Sequence, residues 1–195
     1  MNTIKFIKIL EYKLKPDKGN VFEYIDGLLS QRINPPSLNP QSLSVNADVV
    51  FHSPLRRAVE CIQKKKGSRY ISTPLLAEIP FSPKKFLAEK EWEKEKSAAI
   101  RKKFKEAFIK DQLLVKRKRV LEDTEKLLKT LYQRGVRSSL AVVSHSFRLK
   151  VIETFIKTQG AVSKKPQLIG RFIFDNQKTY EFGKGFLVSR EELKF

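Results

Sequence analysis

Apolar residues follow two rhythms along the 195-residue chain: short continuous runs of strand length, and longer stretches that repeat every three or four positions. Thr3 to Leu10 (TIKFIKIL) is β-branched and aromatic but carries Lys5 and Lys8, which predicts a first strand near one edge of a sheet's buried middle. Val21 to Ser30 places Phe22, Ile25, Leu28 and Leu29 at helical spacing. Asn34-Pro35-Pro36 then bars continuation, because proline lacks an amide donor and restricts its predecessor. Asp48 to Phe51 (DVVF) is too short for a helix and predicts a strand, with Ser53-Pro54 as the helix start behind it. The spacing of Ala58, Val59 and Ile62 carries that helix over Leu55 to Lys66, ending in Lys64-Lys65-Lys66-Gly67 at the negative end of its dipole. Tyr70-Ile71 begins another short strand.

From Lys84 to Arg134 lysine and glutamate alternate around a helical stripe: Phe86, Trp92, Ile100, Phe104 and Phe108, then Leu113, Val120, Leu127, Leu128 and Leu131. This predicts two helices broken near Lys110 to Leu114, with Gly135 as a C-cap. Ser139 to Ser144 (SLAVVS) is almost uninterrupted, as for a central parallel strand covered on both faces, and Ser146 to Lys157 follows it directly as an apolar-rich helix. The tail, Leu168 to Phe174 and Thr179 to Phe182 around Asp175-Asn176, predicts an antiparallel hairpin, with a last strand at Phe186 to Val188. The order of elements predicts an α/β three-layer sandwich: a mixed, mostly parallel central sheet with helices on both faces. It is read as a single domain over 1–195, with a basic helical elaboration at 84–134.

Composition adds charge to this picture. With 41% hydrophobic and 10% aromatic residues, and only 8 Gly and 9 Pro, the chain can build a core and is neither disordered throughout nor collagenous. Forty Lys plus Arg against 21 Asp plus Glu leave +19, which favours anionic partners: nucleic acid, phosphorylated metabolites or acidic membrane surfaces. The one cysteine, Cys61, excludes an internal disulfide, and with two histidines (His52, His145) it cannot build a structural Cys/His zinc site. The expectation is therefore no metal, no cofactor and a reducing, cytoplasmic setting. No run approaches the roughly 18 apolar residues of a membrane span, and the first run lacks a secretory cleavage site. A soluble chain without a membrane partner is expected.

Ligands of open α/β sheets gather outside the carboxyl ends of the strands, where helix starts offer unpaired N–H groups to anions. Two such ends stand out: His52-Ser53-Pro54-Leu55-Arg56-Arg57-Ala58 and Ser144-His145-Ser146-Phe147-Arg148. Each has a histidine at a strand end and an arginine just after it. On adjacent parallel strands they bring imidazole, guanidinium and helix amides around one point that suits a phosphoryl group. His52, at the end of the first of these strands, is placed to line the same pocket.

These segments resemble the histidine phosphatase superfamily, also called phosphoglycerate mutase-like. Its Ser-Pro-Leu, one residue, Arg-Ala pattern matches Ser53 to Ala58, and its late apolar strand ending in Ser/Thr-His matches Val142 to His145. Leu76-Ala77-Glu78 is similar to the segment that brings the family's acidic proton donor to the site. The resemblance implies a phosphate pocket formed by Arg57 and His145, with Lys8 in the place of the family's first arginine and with His145 and Glu78 as catalytic groups; Ser146 and His52, placed beside them by the strand ends, complete the expected phosphate-binding set. The family ends its first strand in an Arg-His-Gly or Arg-His-Ala triplet whose histidine attacks phosphorus to form a phosphohistidine. Here Lys8-Ile9-Leu10 stands in that place, and Ile9 has no lone pair to attack with. Lys8 keeps the charge of the arginine but not its bidentate fork.

The expected function is binding of a phosphorylated small molecule or phosphopeptide by a degenerate, phosphatase-like pseudoenzyme. Two alternatives stay open. One is a nucleic-acid or acidic-protein binding module that uses Arg101-Lys102-Lys103 through Lys116-Arg117-Lys118-Arg119. The other is an active phosphomonoesterase whose first strand aligns differently.

Overall fold

A computed structural model describes residues 3–9, 20–33, 43–95, 97–134, 138–170 and 183–194. The predicted strands become β1 (Thr3–Lys8), β3 (Val49–His52), β5 (Arg69–Ser72), β6 (Leu140–Ser144) and β7 (Gly185–Ser189), joined in the order β5-β3-β6-β1-β7. A separate parallel pair, β2 (Leu43–Ser44) with β4 (Ile62–Gln63), has too few residues to leave a periodic signal in the sequence. The first four strands of the large sheet run parallel: Ile4 faces Leu140 and Lys8 faces Ser144, while Val49 lies between Leu140 and Arg69. Only β7 is antiparallel, pairing Thr3 with Ser189 and Ile7 with Gly185. Gly185 is required there, since a Cβ would run into the Phe6 carbonyl. β6 is buried along its whole length in the middle of the sheet, as its unbroken apolar run predicts.

Side chains alternate across the sheet and so define two cores. Ile4, Phe6, Phe51, Leu140 and Val142 face the larger one. They pack beneath α1 (Val21–Leu29), α4 (Ser97–Ile109), α5 (Arg117–Arg134) and α6 (Ser146–Lys157). Ile7, Val50, Ala141 and Val143 face the other, closed by Ala58 of α2 (Arg56–Cys61) and by Leu43 and Ile62 of the small pair. Helices therefore lie on both faces of a mixed, mostly parallel sheet. The basic helical segment is rooted in the larger core: Phe104 of α4 stacks on Phe147 of α6 with ring centroids 3.9 Å apart, and Phe81 meets both edge-on.

Three local expectations are corrected. The helix after Ser53-Pro54 ends at Cys61, not Lys66, because the chain turns extended at Ile62 and pairs β4 with β2. Burying β-branched Ile62 in a strand outweighs its helical spacing, Val59 is left exposed, and Lys64 to Lys66 cap nothing. The segment after Lys84 forms three helices, not two. A short α3 (Glu89–Glu95) buries only Trp92, stacked 5.7 Å from Phe22, and α4 then presents its own stripe of Ile100, Phe104 and Phe108. The break between α4 and α5 falls over 110–116, where Arg117 Nη1 donates to the Phe108 and Ile109 carbonyls at the end of α4. Leu168 closes a 3-10 turn, Pro166–Leu168, and is not a strand residue. Ile169 and Gly170 continue it as helical, buried residues; the rest of the predicted hairpin, together with Leu10, Asn34-Pro35-Pro36 and Gly135, lies outside the described residues.

Candidate functional site

The parallel register places the carboxyl ends of β1, β6 and β3 side by side. Ile9 N–H donates to Ser144 O at 3.0 Å, and Ser53 N–H donates to Val143 O at 3.1 Å. The residue after each strand, Ile9, His145 and Ser53, thus arrives at one point, and all three are fully buried. Nε2 of His145 lies 2.8 Å from Ser53 Oγ, and that hydroxyl also accepts the Leu55 N–H at 3.2 Å. Arg57 enters from the first turn of α2. It is only 2% exposed, whereas its neighbour Arg56 lies at the surface in an i,i+4 pair with Glu60.

Arg57 Nε, Arg57 Nη1 and His145 Nδ1 are buried and have no hydrogen-bond partner among the described residues. The His145 imidazole is held well below its ordinary range, first by burial and then by the guanidinium charges of Arg57 and Arg148. It is therefore neutral near pH 7, with one ring nitrogen bound to Ser53 and the other unpartnered. The structure brings Arg57, His145 and Ile9 together at the carboxyl ends of β3, β6 and β1. Ile9 contributes only an alkyl chain, packed into the apolar cluster with Ile7, Ala58 and Val143.

Glu78 is buried at the amino end of α6. Its Oε1 accepts from Ile79 N–H at 2.9 Å and Arg148 N–H at 3.0 Å, and its Oε2 from Phe147 N–H at 3.3 Å. The carboxylate sits where the helix dipole and orphan amides attract an anion. The α6 amides of Phe147 and Arg148 are therefore taken by the chain's own acid, which corrects the expectation that both helix starts remain open to a ligand. The segment before it is tied down as well: Ser144 Oγ donates to Leu76 O, Arg148 Nε to Ala77 O and Gln31 Nε2 to Glu78 O. Arg148, the arginine of the second predicted segment, is buried. Its pKa is lowered by burial, against the charges of Glu78 and Asp123.

The other expected residues lie close by. His52 is buried and its Nδ1 donates to the Ser53 carbonyl at 2.9 Å. Lys8 is half-buried opposite Ser144, on the face of the sheet that carries Phe6, away from Ile9. Ser146 is half-buried in the first turn of α6. The sequence marks Ser53 as part of a helix start and of the Ser-Pro-Leu pattern, not as a partner of His145. The signal that it bonds His145 is its position immediately after a strand parallel to the one that ends at Ser144.

Elsewhere, the cations of α5 are partly neutralised on their own helix, through Lys118–Glu122, Arg119–Asp123 and Lys129–Glu125. Two surface cavities lie away from the buried set, one along α5 at Glu122, Lys126 and Thr130, the other at the amino ends of the strands at Asn46, Asp48 and Ser139. Among the described residues no three His, Cys, Asp or Glu side chains gather as a metal site, and no helix is long and apolar enough to cross a membrane.

No protein-family model and no curated protein matches the sequence. Among solved structures the chain is similar to a mutant phosphoserine phosphatase from Entamoeba histolytica in complex with phosphoserine. The identity is 15% and the TM-score 0.48, over 96% of this chain and 89% of that one.

Proposed function

We infer that the protein binds a phosphorylated small molecule or phosphopeptide, through a phosphoryl head held by Arg57 and His145 at the carboxyl ends of β1, β3 and β6. The observation that carries this reading is the set of three buried nitrogens without a partner among the described residues, Arg57 Nε, Arg57 Nη1 and His145 Nδ1. Buried polar groups are bonded in the great majority of cases, and a buried guanidinium whose donors have no partner among the described residues is among the most costly exceptions. A phosphoryl oxyanion removes that cost: its oxygens accept the parallel donors of the guanidinium fork, and its charge neutralises the arginine. Ser146 opens α6 and His52 ends β3 at the same strand ends, whereas Lys8 lies on the face of the sheet opposite Ile9. Because the central groups are buried, the compact head of the ligand is the part recognised.

Hydrolysis through phosphohistidine is absent on this reading. Ile9 offers no nucleophile, and removal of a covalent nucleophile lowers turnover by about 10⁶ in a protease that relies on one. Both Glu78 oxygens are engaged by α6, which gives that residue the role of a cap, not of a proton donor. Cys61, a buried cysteine outside any disulfide, fits a reducing, cytoplasmic setting. The reading through the basic helices draws on surface cations that already meet acids one turn away. Isothermal titration with orthophosphate tests the proposal: one saturable site is expected, lost in Arg57→Met, with no release of p-nitrophenol from its phosphate ester. Absence of phosphate binding, or binding unchanged in Arg57→Met, overturns it.

A further inference from the structure

We propose that Ser53 decides which nitrogen of His145 carries the proton, and so makes that ring a third hydrogen-bond donor at the site; this rests on the oxyanion reading above. The argument is a count of hydrogens around one hydroxyl. Ser53 Oγ already receives the Leu55 N–H at 3.2 Å, and its other partner among the described residues is His145 Nε2 at 2.8 Å. A hydroxyl has one proton to give. Among the described residues the group that can take it is that ring nitrogen. Ser53 O–H therefore donates to Nε2, which must be a bare lone pair, and the single proton of the neutral ring sits on Nδ1.

The opposite assignment leaves two defects. If Nε2–H donated to Ser53, the serine proton would point into a fully buried space without an acceptor among the described residues. Nδ1 would then present a lone pair beside Arg57, accepting nothing and repelling an incoming anion. With the proton on Nδ1, every unpartnered nitrogen of the set is a donor, and the set matches an oxyanion and rejects a cation. Ser53 acts through His145 and is a positioning residue. Its hydroxyl lies on the side of the ring away from Nδ1, so it does not meet an anion held there.

His52 supplies an internal control. Its Nδ1 faces a carbonyl oxygen, that of Ser53, so it too carries its proton on Nδ1, but through a backbone group that no substitution at position 53 removes. The experiment is ring-nitrogen NMR of the full chain labelled with ¹⁵N-histidine, free of phosphate, at about pH 8, above the ordinary imidazole range. Both histidines are expected as Nδ1–H. In Ser53→Ala, His145 shifts toward Nε2–H while His52 keeps its pattern, and Ser53→Thr, which retains a hydroxyl, restores His145. Orthophosphate affinity should fall roughly tenfold or more in Ser53→Ala and recover in Ser53→Thr, as for loss of one donor to a charged acceptor.

An Nε2–H pattern for His145 in the unsubstituted protein, or an unchanged pattern in folded Ser53→Ala, overturns the proposal. If Ser53→Ala does not fold, the spectra of the unsubstituted protein and Ser53→Thr decide alone: Nδ1–H supports it and Nε2–H refutes it. The ligand-free spectra are independent of phosphate binding. Failure to bind phosphate with the expected tautomer therefore refutes the oxyanion reading and leaves the role of Ser53 standing.

Discussion

Replacing Arg57 by methionine should make the protein more stable in phosphate-free buffer, the reverse of what removing a well-bonded buried side chain does. The guanidinium is 2% exposed, and Nε and Nη1 have no partner among the described residues. Methionine has similar length, and the adjoining cluster of Ile9, Ala58 and Val143 is apolar. Exchange of buried ionic groups for apolar ones of like volume stabilises by about 1–4 kcal/mol where their partners are inadequate. For a chain of this size each kcal/mol moves Tm by roughly 2–4 °C, so a rise of about 2–16 °C is expected. Orthophosphate should act oppositely: at about 100 times Kd it stabilises the unsubstituted protein by about 2.7 kcal/mol and leaves Arg57→Met unchanged, so the gap closes. Thermal unfolding of both proteins in Tris chloride, with and without phosphate, reads the two effects in one experiment. Arg56→Met is the control: that side chain is exposed, and its loss should shift stability by no more than about 0.5 kcal/mol. A lower Tm for Arg57→Met without phosphate would show that the guanidinium is already satisfied within the chain, and would refute the reasoning.

Other consequences can be checked separately. Because folding lowers the His145 pKa, the unfolded chain takes up the proton more readily, and stability is lost as pH falls below about 6.5. Between about pH 7 and 5 the unsubstituted protein should lose about 1–2 kcal/mol more than His145→Asn in urea titrations, and parallel curves would refute this. Glu78→Ala should destabilise by about 2–4 kcal/mol, since it frees two α6 amides and removes the charge opposing Arg148; a proton donor with no capping role would leave the urea midpoint unmoved. Phe104→Ala should cost about 3–5 kcal/mol, because its ring joins the basic helices to α6; a change below about 1 kcal/mol would mean that α4 is not part of the core.

The elements legible in the sequence were those with one dominant signal. β6 was marked by five successive residues that all end buried, and α6 began where a histidine and a serine followed that strand. The α1 stripe was equally plain, with Asn20 capping Phe22 and Glu23. Where two signals competed, spacing misled: Ala58, Val59 and Ile62 fit a helix, but Ile62 gains more by pairing with Leu43, a residue outside any local window. The candidate site divides in the same way. Arg57, His145 and Ile9 were found because motif and strand end coincide. The capture of the α6 amides by Glu78 was not, because the partners are 69 and 70 residues apart and a Leu-x-Glu triplet carries no mark of its destination. Nor did the sequence separate the buried Arg57 from the exposed Arg56, except through the motif frame.

The central claim is tested most directly by the anomalous scattering of crystals of the unsubstituted protein soaked in tungstate, an oxyanion of phosphate shape. The account predicts one strong peak within hydrogen-bond reach of Arg57 Nε, Arg57 Nη1 and His145 Nδ1, beside the Ile9 side chain. Density for a carboxylate of the chain itself against Arg57, with tungstate bound only elsewhere, would contradict it.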